Sequence, residues 1–206
     1  MRLHIYGCSL IKGVVEITKL RQGVTGILRY ENGVVLLPLP DEDFTNDPLL
    51  EKFPKRERIG KLETDWTLLQ QGMLGFVSGA VEKSINLFAL DRLNKARLLR
   101  DELIREGVEE YGIDLSANLD ISQLNVFPVG RVEQIRNDKE VHFLLWVITQ
   151  VILRDNQIGD LQQKVPVVLV PDDGLEHFYQ ENIGKIRPAN RLALKKVYQL
   201  GNKRKE

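Results

Sequence analysis

Apolar and polar positions change period several times along the 206-residue chain. Alternation with a period of two predicts short strands over residues 2–6 and 14–20, and again over 24–30 and 34–39. The last two flank Glu31-Asn32-Gly33, and Asn-Gly is the pair favoured where a tight hairpin turn needs positive φ. A hairpin is therefore predicted there. Residues 66–76 read as a further strand. Ser78-Gly79-Ala80 reads as a turn that opens a long helical pattern. In it Ile85, Leu87, Leu90, Leu93, Ala96, Leu99 and Leu103 recur every three or four residues, with room for one break, until Gly112 supplies a C-terminal stop.

The second half opens with a longer hairpin, residues 124–135 and 141–153, whose β-branched and aromatic content suits a central place in a sheet. Pro128 lacks an N–H for the ladder, so its strand begins or bulges there. Residues 155–157 read as a turn and 165–170 as a strand. Pro171-Asp172-Asp173-Gly174 leads into a short helix carrying Leu175 and Phe178, and residues 188–198 form a terminal helix with Pro188 in its first turn. Residues 201–206 are expected to fray. The order predicts an α/β (α+β) fold, a mixed β-sheet sandwiched between helices, in one domain spanning 1–206.

Residues 40–65 break the pattern with acids, prolines and the basic cluster Lys55, Arg56, Arg58 and Lys61, and read as a polar loop or insert. That cluster has the residue types to meet phosphates, but a solvated charged face is the ordinary reading of such a run. Lys+Arg and Asp+Glu both number 29, so no net field draws the chain to nucleic acid or an anionic membrane. Cys8 is the only cysteine, which excludes an intrachain disulfide and fits a reducing compartment. The start of the chain lacks the apolar run of a signal peptide, and no stretch approaches the roughly 18 apolar residues of a membrane span. A cytoplasmic protein is expected, with a homodimer left open. His4, His142 and His177 lack metal-ligand spacing, and Trp66, Trp146, Phe127 and Phe143 read as core aromatics before base-stacking ones.

The chemistry-bearing stretch is 98–113, LLRDELIREGVEEYGI. At about 100° per residue, Glu102, Glu106 and Glu109 project from one side of a helix with Glu110 beside them, while Ala96, Leu99, Leu103, Ile104 and Tyr111 cover the apolar side. Carboxylates near a helix C-terminus oppose the macrodipole. Pairing of Asp101 with Arg105 and of Arg105 with Glu109, four residues apart, offers a structural account of the pattern. Hard oxygen ligands offer a functional one, a site for Mg²⁺ or Mn²⁺.

Arg105-Glu106-Gly107-Val108-Glu109-Glu110-Tyr111-Gly112-Ile113 resembles the second half of the Nudix box, an Arg-Glu pair followed by a Glu-Glu pair, a glycine and an aliphatic residue. Gly107 departs from the pattern where an aliphatic residue is usual. The family's earlier glutamate falls on Arg97 and its leading glycine on Asp91. Ser78-Gly79-Ala80-Val81-Glu82 resembles the opening of the box, displaced upstream as though helical turns had been inserted, so that Glu82 would not reach the stripe. The surrounding order of hairpins, closing strand and terminal helix resembles the family over about residues 24–198.

The resemblance implies a divergent, Nudix-like hydrolase with a degenerate box. It would cleave a phosphoanhydride in a nucleoside diphosphate linked to another group, with Mg²⁺ or Mn²⁺ held by Glu106, Glu109 and Glu110. It implies catalytic roles for Glu106 and Glu109, an orienting ion pair from Arg105 and a nucleotide-type small molecule as ligand. Glu102, one turn earlier on the same side, is a geometric addition. A catalytically inactive Nudix-fold module binding a nucleotide or protein partner is the alternative that Arg97 favours. A structural protein using residues 40–65 as a contact surface is a third.

Overall fold

The computed structural model describes residues 21–39, 56–59, 62–65, 73–81, 85–136 and 139–200. The expected strands at 2–6 and 14–20, Cys8, His4, Trp66, Glu82 and the tail at 201–206 lie outside these residues. Strand β1 (Arg21–Tyr30) and β2 (Gly33–Pro38) form the predicted hairpin, but the turn is not the expected one. Tyr30 pairs with Gly33, so Glu31 and Asn32 make the loop, and neither takes a positive φ. Gly33 is needed for closeness instead: a Cβ there would sit 2.2 Å from the Val170 carbonyl oxygen and 2.7 Å from the Tyr30 ring.

Part of the 40–65 stretch is sheet rather than loop. Strands β3 (Arg56–Ile59) and β4 (Leu62–Asp65) form a hairpin that extends the sheet through β3. Two-residue β5 (Leu74–Gly75) is all that the described residues show of the strand expected at 66–76. Ser78-Gly79-Ala80, expected as a turn, lies in strand β6 (Ser78–Val81), paired antiparallel with the first half of β1. A short 3-10 helix at Leu87–Ala89 then precedes helix α1 (Arg92–Tyr111), so the long helical pattern breaks at Leu90-Asp91.

Strands β7 (Val126–Arg136) and β8 (Lys139–Ile152) are the predicted long hairpin, with a bulge between Pro128 and Gly130. Residues 155–157 do not merely turn; they begin helix α2 (Asp155–Lys164). Strand β9 (Val168–Pro171), helix α3 (Leu175–Asn182) and helix α4 (Pro188–Tyr198, with Pro188 in its first turn) complete the described chain. The sheet order is β4-β3-β7-β8-β1-β2-β5, with β6 beside β1 and β9 beside β2. The β1–β8 pairing is parallel and its neighbours are antiparallel, which makes the sheet mixed and the fold α+β.

Helices cover both faces, and two adjacent residues of β1 show it, because successive strand residues point to opposite sides. Thr25 Oγ1 accepts a hydrogen bond from the α4 residue Asn190 at 3.0 Å. Gly26 faces α1 so closely that a Cβ would lie 2.3 Å from Leu103 Cδ2. The buried aliphatic residues of β1, β2, β8, α1 and α4 form one continuous core cluster. Among the described residues no helix is long and apolar enough to cross a membrane.

Candidate metal centre on helix α1

Helix α1 is fixed at both ends by its own sequence. Asp91 caps the start: its carboxylate accepts the Asn94 N–H at 2.9 Å, and that bond holds the carboxyl below its ordinary value. Gly112 ends the helix in the left-handed region at φ 62°, a conformation that glycine takes without penalty. The chain then folds back over Gly107, where a Cβ would lie 3.0 Å from the Ile113 carbonyl oxygen and 3.2 Å from Leu115 Cδ1. Gly107 therefore leaves room for Leu115, itself fully buried, to fill the place of an aliphatic side chain on the helix. From α2, Lys164 donates to the Gly112 carbonyl at 2.9 Å. Its charge complements the helix C-terminus that the glutamates oppose.

Along the flank of α1, Arg105 gathers the predicted acids. Its guanidinium is 2.6 Å from Glu102 and also pairs with Glu106 and Glu109. Asp101, expected to pair with Arg105, pairs with Arg100 instead at 2.9 Å. Three carboxylates thus face one guanidinium. Glu102 and Glu106 are largely buried, whereas Arg105 and Glu109 are about half exposed. Burial raises the Glu106 carboxyl above its ordinary value; Arg105 pulls it down, and Glu102, by charge and hydrogen bond, pushes it further up. The hydrogen bond to Glu102, ahead of the three negative charges, holds Arg105 more firmly protonated than usual.

Strand β6 presses against these same side chains. A Cβ on Gly79 would lie 2.5 Å from Glu106 Cγ and 2.7 Å from Glu102 Oε1. The glycine-bearing segment that looked too remote in sequence is therefore in contact with the stripe. Sheet pairing of β6 with β1 brings it there, and the intervening residues run through the 3-10 turn before α1 begins. Glu110 is half-buried. Its charge, after burial, helps raise the phenol of Tyr111, which donates to the Pro38 carbonyl at 3.0 Å. Arg97 is exposed, and at about 100° per residue it projects away from the acidic flank.

The donors suit Mg²⁺ or Mn²⁺ in kind, being hard carboxylate oxygens, and the excess negative charge suits a cation. Among the described residues, however, no group of three His, Cys, Asp or Glu side chains is arranged to hold a metal ion; Arg105 lies where the carboxylates converge. The side chains of the basic cluster at 55–61 and of His142 lie outside the described residues. His177 is exposed and pairs with Glu181 at 3.3 Å.

Two clusters escaped sequence reasoning. Arg29 pairs with Asp172 at 2.6 Å, hydrogen-bonds the Tyr198 phenol and stacks on its ring, 5.6 Å from the centroid. Trp146 is buried, its indole N–H held by Gln22 at 3.1 Å, with Lys95 and Phe88 over it. Both join residues far apart in the chain, and no local spacing announces them.

No family model matches the chain, and no curated protein matches it. Among solved structures, the chain is similar to the E. coli ORF135 protein at 14% identity, with 91% of this chain and 94% of that one covered and a TM-score of 0.40. It is similar to a NUDIX hydrolase from Nitrosomonas europaea at 10% identity, with 88% and 89% covered and a TM-score of 0.40. A mutant of the Bacillus subtilis pyrophosphohydrolase BsRppH is 13% identical, with 80% and 73% covered and a TM-score of 0.33.

Proposed function

We propose that the chain is a Nudix-like, metal-dependent hydrolase of a nucleoside diphosphate linked to another group. The observation that carries this reading is the knot on α1: Glu102, Glu106 and Glu109 crowd one guanidinium, and Glu102 and Glu106 lie against the bare backbone of Gly79. Glu106 and Glu109, with Glu110 by the family resemblance, would hold Mg²⁺ or Mn²⁺, and Glu102 adds a carboxylate on the same flank. A bound divalent ion supplies neutralisation of phosphate charge and a more acidic water. Arg105 orients the glutamates. The test is a panel of ADP-ribose and dinucleoside polyphosphates assayed with Mg²⁺ or Mn²⁺. Turnover is expected, falling roughly 100-fold or more in Glu109→Gln. Absence of metal-dependent turnover at high protein concentration contradicts the reading.

A second reading is a non-catalytic module that binds a nucleotide. What favours it is that Arg105 already supplies a counter-charge at the convergence point, and that Arg97, at the family's glutamate position, is exposed on another side of α1. Ligand-induced thermal stabilisation without turnover supports this alternative, and robust hydrolysis excludes it.

A further inference from the structure

A cleft beside Arg29 lies on the α4 side of the sheet, and no residue of α1 lines it. Its volume is about 330 Å³, and its walls include Arg29 of β1, Phe127 of β7, Thr149 and Gln150 of β8, and Lys196 and Tyr198 of α4. The two cations differ in what they meet. Arg29 is matched by Asp172 at 2.6 Å and held over the Tyr198 ring, 5.6 Å from its centroid. Lys196 is exposed and has no carboxylate partner among the described residues, and no carboxylate lines the cleft. One positive charge is therefore left over. Thr149 adds an unmet hydrogen-bonding group. It is only 7% exposed, and its backbone N–H donates to the Asn125 carbonyl at 3.3 Å, but its hydroxyl has no partner among the described residues. Among those residues the unpaired side-chain atom sealed from solvent is Asn190 Oδ1, so the Thr149 hydroxyl is not sealed: it opens into the cleft that its residue lines. A ligand oxygen there would supply the hydrogen bond that the fold leaves unmade.

We propose that this cleft binds a small organic monocarboxylate. Its carboxylate accepts from the Lys196 ammonium and the Thr149 hydroxyl, a charge-assisted pair of contacts, and its apolar body rests against Phe127 and Tyr198. Charge decides the class: one uncompensated cation suits one negative charge, whereas a phosphate dianion would leave a negative charge over. Size decides the body. A cavity of about 150 Å³ already admits benzene, so a single ring with its carboxylate fits the larger cleft. Arg29, already balanced by Asp172, serves as a fixed wall that holds the Tyr198 ring in place. The site is separate from the acidic flank of α1 and stands whether or not that flank hydrolyses anything.

The test is an NMR titration of the isotope-labelled full chain with sodium benzoate, followed at the backbone amides of Thr149 and Gln150. Saturable shifts are expected there, and benzamide, similar in shape but uncharged, should bind about tenfold more weakly. Lys196→Gln should weaken benzoate binding about fivefold. Thr149→Val should weaken it about tenfold, and Lys195→Gln, on the same helix but outside the cleft, should leave it unaltered. Because Lys196 is exposed, its variant tests the charge even where Thr149→Val unsettles the fold. Absence of saturable benzoate binding, equal affinity for benzoate and benzamide, tighter binding of inorganic phosphate than of benzoate, or unchanged benzoate affinity in Lys196→Gln overturns the proposal.

Discussion

Two arginines, Arg29 and Arg105, each collect side chains from around them, and the difference between the clusters separates scaffold from site. Arg29 joins β1 to Asp172 after β9 and to Tyr198 at the end of α4. One guanidinium meets one carboxylate and one phenol, so the charges balance, and burial with only partial relief from Arg29 raises the Tyr198 phenol, keeping it neutral. A cleft of about 330 Å³ beside it, lined in part by Phe127, Thr149 and Lys196, has no carboxylate among its lining residues. Arg105 instead meets three carboxylates of its own helix, leaving two negative charges uncompensated and Glu106 raised. A balanced cluster fastens elements together; an unbalanced one is improved by a further cation.

The glycines beneath α1 offer the sharpest way to break that contrast. Gly26→Ala places a methyl 2.3 Å from the fully buried Leu103 side chain; it should destabilise the chain by about 1–3 kcal/mol, read in urea unfolding. Gly79→Ala meets Glu106 and Glu102 instead, so it should lower stability less and weaken Mn²⁺ binding more. Equal behaviour of the two variants would erase the distinction between helix seat and site.

Removing the balanced cluster should affect folding only. Arg29→Met is expected to lose about 1 kcal/mol, a moderate figure because Asp172 is substantially exposed, with metal-dependent turnover unchanged. A loss of turnover larger than the loss of stability would move Arg29 into the site.

Glu106 predicts a smaller, pH-dependent effect. Its folded carboxyl binds protons more tightly than an ordinary glutamate. Between the ordinary value and the raised one the native state therefore holds more protons than the unfolded state, and stability falls as pH rises through that window. Glu106→Gln should melt like the native chain below the window and a few degrees higher above it. Melting curves that coincide at every pH would show that the acidic flank carries no such load. The smallest effect belongs to Arg97→Glu, which restores the residue type expected of the box but on an exposed side of α1; stability should change by no more than about 0.5 kcal/mol, and turnover should not rise. A rise would mean that position 97 reaches the site.

Elements with long, consistent periodicity were legible in the sequence: the β7–β8 hairpin with its bulge after Pro128, the Gly112 stop and the Pro188 helix start all depend on local chemistry. Helix α2 was not legible, because only Ile158 and Leu161 are buried along it and Gly159 interrupts it; its start is secured by Gln157, which accepts the Arg154 N–H at 3.0 Å. The acidic stripe was visible because three- and four-residue spacing is all it needs. Its contact with Gly79 was hidden, since the spacing between them suggests distance and sheet pairing removes it. Gly33 is a hairpin glycine because Val170 and Tyr30 approach it closely, where its place after Asn32 suggests positive φ.

The most direct measurement is anomalous diffraction from a crystal soaked in Mn²⁺. The account predicts one Mn²⁺ peak among the α1 carboxylates, with Glu106 and Glu109 as ligands and Arg105 withdrawn from at least one of its three ion pairs. An Arg105 knot left intact with no Mn²⁺ peak on that flank would contradict it.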